Sequence, residues 1–381
     1  MAFIASIYEY ILTVPLRVFY LGVGLFGIGF LIGFHELGHF VFCKLFRIRT
    51  PSFSIGFGPR IIKKKIGETT FALSAIPLGG YVEIAGSAEI GQGDQQEALS
   101  VDHSSFAIKP YWQKMLVMGG GILFNLLFAY LAFALIFMIG LPKSEIMYPA
   151  NAKPVIESIA PGSAAEKFQL QPGDEITAVN NTSVENDVSK LIALIKPHAN
   201  QQVTLNIRRN GTHLSLPVTL DTKDFLGTSI GSLGIMFTIV QTPGLPLWES
   251  IQRGINYTNT IISHTFGAFK YIFGKRDVSQ MAGPVMLISA TAKGAGKGFR
   301  IFLVFLAIIS INLAILNLLP LPILDGGQAL FYTIEAVIGK PMPTRIKEYI
   351  HLGSWLLVLV LILYLSYKDI LRILPFKLFN S

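Results

Sequence analysis

The sequence predicts a polytopic α-helical membrane protein of about four transmembrane helices, with a membrane-associated β-hairpin and one inserted soluble domain. Three observations carry this. Only 14% of the 381 residues are charged and 51% are hydrophobic, where a soluble domain has about 25% charged residues. Four apolar runs come close to or exceed the roughly 20 residues a helix needs to cross a bilayer. A long polar stretch separates the second run from the third.

The four runs are 18–42, 115–139, 302–319 and 354–371. The segment 251–273 is amphipathic and reads as an interfacial or packed helix. Between the first two runs, 69–76 and 81–85 favour strand, and Gly79-Gly80 between them predicts a tight hairpin turn. The net charge of +8 is not read as a nucleic-acid surface. Lys and Arg cluster beside the apolar runs, where positive charge sets orientation. Arg47, Arg49, Arg60 and Lys63 to Lys65 place 47–111 on the cytoplasmic side, and the loop at 340–347 is expected on the same side. The second run then carries the insert outside. The single cysteine, Cys43, excludes an intrachain disulfide or a cysteine-based zinc knuckle and reads as a small buried hydrophobe. No short apolar stretch ends in a small-residue cleavage site at the N-terminus, so no removable signal peptide is expected. Three regions follow: 1–141 with two spans and the hairpin, a soluble insert over 142–247, and 248–381 with an amphipathic helix and two spans.

Within the insert, 154–159 reads as a strand and 161–165 as a turn opening a short helix. Residues 176–179 form a second strand, 188–196 a helix, and 203–208 with 213–220 a hairpin across Asn210-Gly211. This order resembles a bacterial PDZ domain. The stretch Ala160-Pro-Gly-Ser-Ala-Ala followed by Leu170-Gln-Pro-Gly-Asp-Glu-Ile carries the likeness.

The chemistry centres on His35-Glu36-Leu37-Gly38-His39. Residues four apart share a helix face, so both imidazoles can reach one metal ion. Glu36, beside the first imidazole, can act as general base toward water at that metal. The motif lies inside an apolar run, where ionisable groups are costly and functional by default. A catalytic zinc needs a third protein ligand and an open position. The short-range third histidine of some zinc proteases is absent, since Phe42 and Leu45 occupy that stretch. Asp325 is the candidate, in Asn317-Leu-Leu-Pro-Leu-Pro-Ile-Leu-Asp325-Gly-Gly at the end of the third span. Pro320 and Pro322 break the helix there, and the glycines permit close backbone approach.

These two motifs resemble those of the site-2 protease family of intramembrane zinc metalloproteases, in particular its bacterial regulator-of-sigma-E protease branch. Phe124-Asn125 and Gly283-Pro284 also match family signatures. The resemblance implies that His35, His39 and Asp325 bind Zn2+ and that Glu36 activates water. It further implies that Asn312, Asn317, Gly79, Gly80 and Tyr81 handle substrate. Substrates would be transmembrane segments of single-span proteins, such as anti-sigma factors or remnant signal peptides. The place would be the bacterial inner membrane, with the PDZ insert on the periplasmic side. Many members of this branch carry two PDZ domains, whereas one PDZ core is legible here. Two other classes fit the composition. A metal transporter could line an ion path with His and Asp, but it leaves Glu36 unexplained, and zinc flux in liposomes would mark it. A non-catalytic PDZ scaffold would purify without zinc.

Overall fold

A computed structural model describes residues 2–87, 101–225, 228–275 and 281–373. The chain divides into two compact units. One comprises Met1–Phe133, Gly254–Thr265 and Asp277–Ser381, the other Ala134–Arg253 and Phe266–Arg276.

The first unit holds α1 (Ala2–Leu45), β1 (Ser52–Ile66), β2 (Thr69–Glu83) and most of α2 (Tyr111–Ile139). Among the described residues, four helical stretches are long and apolar enough to cross a membrane: Val14–Leu45, Tyr111–Ile139, Phe299–Asn317 and Arg345–Arg372. Each contains most or all of one predicted run. The last has Leu356 and Leu363 each 61% exposed, an apolar surface consistent with a lipid surrounding. Cys43 is buried, in a cluster with Ile48, Phe53, Val82, Val117 and Met118 that seats the sheet on α1 and α2. Glycine sets the α1–α2 distance. A Cβ at Gly38 would fall 2.1 Å from the Gly120 carbonyl oxygen, so the two backbones touch where no side chain intervenes.

The β-element differs from the predicted hairpin. The runs 69–76 and 81–85 do not pair with each other. Ser52 to Ile55 lie between them, in register with Thr70 to Leu73 on one side and with Gly80 to Glu83 on the other. The tight turn is at Gly67, with φ +60°, where Ile66 pairs with Thr69. Gly79 has φ +134° and Gly80 is not among the positive-φ residues, so this pair lacks the two positive φ values of a type I′ turn. Gly56 and Gly58, at φ +89° and +84°, bend β1, so that its first part lies inside the sheet and its basic second part lies at an edge.

The second unit is built on β3 (Ala152–Ile159), α3 (Ala164–Lys167), β4 (Glu175–Val179), β5 (Thr182–Ser183), α4 (Val188–Ile195), β6 (Gln202–Arg209), β7 (Thr212–Thr219), β8 (Asp221–Phe225), β9 (Thr228–Ser232) and β10 (Ile235–Ile239). The main sheet runs β10-β3-β4-β6-β7, with β5 on β4, and β8 pairs with β9. Ser163 caps α3 and Asp187 caps α4 through their side chains, each satisfying N–H groups left open in a first turn. Asn210 and Gly211, at φ +48° and +83°, make the β6–β7 turn. Ile176, Leu191, Leu205, Ile207 and Val218 fill the core.

Asp174, 1% exposed, receives Arg209 through Nε and Nη2, both at 2.7 Å, and the Gln171 N–H at 2.8 Å. Burial alone would push the Asp174 carboxyl up. The Arg209 and Gln171 hydrogen bonds, with the guanidinium charge, outweigh it and hold the carboxyl below its ordinary value. A carboxyl depressed in the fold contributes stability above its unfolded value. That stability is lost as pH falls through the folded value. Arg209→Gln is therefore expected to move acid unfolding of this unit to higher pH, read by circular dichroism. An unchanged acid midpoint would contradict that role.

The chain continues with α5 (Leu247–Lys275), α6 (Pro284–Gly296), α7 (Phe299–Asn317), α8 (Asp325–Ile338) and α9 (Thr344–Ile373). Asp369 of α9 accepts the Gly283 and Met286 N–H groups at 3.1 and 2.8 Å, capping α6. A Cβ at Gly283 would fall 2.6 Å from that carboxylate, which accounts for glycine before Pro284.

Candidate metal centre

The helical spacing of His35 and His39 brings their Nε2 atoms to 3.1 Å. Asp325 opens α8 and reaches the same point, with Oδ2 3.2 Å from His35 Nε2 and Oδ1 3.4 Å from His39 Nε2. The three residues offer ligand atoms within 4.8 Å of one another. Both imidazoles are buried. His39 Nδ1 lies 2.8 Å from the Val117 carbonyl, which can only accept, so His39 holds its proton there and turns a lone pair inward.

The chemistry of this set fits a cation. Asp325 Oδ2 is buried and makes no hydrogen bond. Its short distance to His35 is proximity without hydrogen-bond geometry. Acceptor atoms converging at this distance repel unless a positive ion lies among them. Two imidazoles and one carboxylate with space beside them suit a catalytic zinc.

Backbone without side chains makes the convergence possible. After α7 the chain turns through Pro320 and Pro322 and doubles back. A Cβ at Gly326 would fall 2.5 Å from the Leu318 carbonyl oxygen, and one at Gly327 would fall 2.1 Å from that of Leu321. Gln328 Nε2 donates to the Pro322 carbonyl at 2.8 Å and secures the turn. On α2, a Cβ at Gly121 would lie 2.4 Å from His35 Cε1 and 2.6 Å from Nε2 of both histidines. Gly121 thus forms a wall of the site. Sequence reasoning missed it, although three consecutive glycines in an apolar span were its visible signal.

A cavity of about 210 Å³ opens on this set, lined also by Glu36, Asn317, Val82, Ile84 and Met118. Glu36 is half-buried. Gly80 passes close to it, since a Cβ there would sit 3.3 Å from Glu36 Cγ. The fold therefore brings together His35, Glu36, His39, Asp325 and Asn317, with Gly80 alongside. Asn312, Gly79 and Tyr81 are not among the cavity's lining residues. The Asn312 side-chain oxygen accepts the Thr265 hydroxyl at 3.4 Å. Tyr81 accepts Arg60 Nη2 at 3.1 Å. Gly79 faces the Phe57 ring, which a Cβ would overlap. In the second unit, a separate cavity of about 460 Å³ is lined by residues 158–160, Ile192, Ile195, Lys196 and residues 230–237. The last of these lie outside the predicted strand 154–159 and the predicted helix 188–196.

Two buried histidines on a membrane-type helix, a carboxylate at the start of α8 and a glutamate at the cavity define a membrane metalloprotease as the class. Comparison with known proteins agrees. The family model described as "Peptidase family M50" matches residues 23–361. A Campylobacter jejuni protein named as a zinc metalloprotease is 32% identical, covering 91% of this chain and 92% of its own. Zinc metalloprotease RasP of Geobacillus kaustophilus is 28% identical over 90% of this chain and 95% of its own. An Arabidopsis thaliana chloroplast protein named as a membrane metalloprotease is 32% identical over 89% and 77%. The chain belongs to peptidase family M50, the site-2 proteases, and is a zinc metalloprotease. The transporter and scaffold readings are thereby set aside.

Proposed function

We propose that His35, His39 and Asp325 hold the zinc, that Glu36 is the general base, and that the enzyme cleaves peptide bonds inside transmembrane segments of single-span proteins. The observation that carries this is the position of the motif: His35, Glu36 and His39 lie within the stretch Val14–Leu45, which is apolar and long enough to span. Bound zinc supplies a Lewis acid that polarises a carbonyl and makes water nucleophilic near neutral pH. Glu36 takes the proton released by the attacking water and passes it to the leaving amine, whose C–N bond breaks.

A helical substrate hides its peptide bonds, and exposing them in lipid costs several kcal/mol per unpaired group. The strand segment Gly80 to Glu83 beside Glu36 offers strand addition as compensation. Asn317 supplies a side-chain amide within the cavity, and Asn312 is available if it releases Thr265. The insert 142–247 is read as a periplasmic PDZ domain that filters or docks substrates. Its support is the β3–α4 arrangement and the cavity beside it, where Lys196 offers positive charge. The enzyme then belongs in a bacterial inner membrane, with residues 47–111 cytoplasmic. Anti-sigma-factor-like proteins and remnant signal peptides are the substrate classes proposed.

The test is cleavage of a single-span peptide by the purified enzyme in liposomes, with product termini mapped by mass spectrometry. Scission within the apolar segment is expected. Scission only in the flanking polar sequence would contradict the reading.

A further inference from the structure

A neutral imidazole offers one lone pair, and it lies on Nε2 only when the proton is on Nδ1. For His39 the Val117 carbonyl secures that arrangement at 2.8 Å. For His35 the facing group is the side-chain amide of Asn125, 3.1 Å from Nδ1. Asn125 is fully buried and lies one turn beyond Gly121 on α2. Its backbone carbonyl accepts the Ser310 hydroxyl at 2.8 Å, which pins that turn against α7.

An amide's oxygen and nitrogen exchange places by a half-turn with no change of shape. The two orientations have opposite consequences for the metal. With Nδ2 toward His35, Nδ1 must accept, the ring proton goes to Nε2, and no lone pair remains for a cation. In that orientation Asn125 Oδ1 is also buried without a hydrogen-bond partner. With Oδ1 toward His35, Nδ1 carries the proton and Nε2 faces Asp325 and His39 as a ligand. We propose that Asn125 is a positioning residue of the metal centre: its side-chain carbonyl accepts the Nδ1 proton of His35 and fixes the ring in the metal-binding tautomer. The proposal rests on the reading of His35 as a zinc ligand.

The test is zinc retention by the full-length protein in detergent, titrated with a competing chelator, for three variants. Asn125→Leu keeps the approximate size and removes the acceptor, so zinc affinity is expected to fall by about 10–100-fold, the usual range for such outer partners. Asn125→Asp keeps an acceptor in both orientations and is expected to hold zinc at least as tightly as wild type. His35→Ala is expected to lose zinc. Unchanged affinity in Asn125→Leu, with His35→Ala emptied, would overturn the role of Asn125 alone. Zinc retained by His35→Ala would overturn the ligand reading and this proposal with it. Should the Leu variant fail to give native circular dichroism, the Asp variant decides, and an affinity lowered by more than about ten-fold there would overturn the proposal.

Discussion

Replacing Glu36 by Gln is expected to lower peptide-bond cleavage by at least about 10²–10⁴-fold, the typical cost of losing a general base, while zinc content stays near that of wild type. Adjacent residues on a helix point about 100° apart. With His35 facing the metal position, Glu36 faces the cavity beside Gly80. Gln preserves size and hydrogen bonding but cannot take the proton from water. Binding does not require that proton transfer, so a stable enzyme–substrate complex should accumulate and co-purify. The measurement is zinc analysis, cleavage and co-purification on one preparation. Cleavage at the wild-type rate would remove Glu36 from the mechanism. Loss of zinc would make it a ligand.

Gly121→Ala is the second large effect. The added Cβ would fall 2.4 Å from His35 Cε1 and 2.6 Å from His39 Nε2, distances that real side chains do not tolerate. Both imidazoles are held from behind, His39 by the Val117 carbonyl and His35 by the Asn125 amide. They cannot retreat without leaving the metal position. Zinc occupancy and cleavage should therefore both fall by an order of magnitude or more, about the loss seen when ligand-orienting contacts are removed. Gly119→Ala is the matched control. A Cβ there meets nothing within 4 Å, so zinc and activity should persist, with helix propensity favouring Ala over Gly by about 1 kcal/mol. Equal zinc content in the two variants would show that Gly121 does not wall the site.

The legible parts of the molecule are those written in local patterns. His35 and His39 announce themselves through i, i+4 spacing inside an apolar run, and Asn210-Gly211 through its turn chemistry. Asp325 was legible as a carboxylate behind two helix-breaking prolines, although its distance from His35 and His39 is a tertiary fact. The β-element was half legible. Thr69 to Leu73 and Gly80 to Glu83 carry strand character, but nothing local shows that Ser52 to Ile55 insert between them. Gly121 and Asn125 were visible only as a glycine run and a signature. What they do depends on how closely α2 approaches α1, and that distance is set by Gly38 meeting Gly120 across two helices. Strands β8 to β10 were not predicted, because five-residue strands, β8 and β9 in a two-stranded pair and β10 at the edge of the main sheet, carry little periodicity of their own.

One zinc is proposed to be held jointly by the His35–His39 face of α1 and by the carboxylate that opens α8. Zinc stoichiometry of purified Asp325→Ala tests it most directly, because Asp325 is the proposed ligand farthest in sequence from the other two and the one whose Oδ2 is otherwise buried without a hydrogen bond. The expected result is zinc far below the wild-type content, in a protein whose helical circular dichroism is unchanged. Zinc at wild-type stoichiometry in that variant would contradict the account.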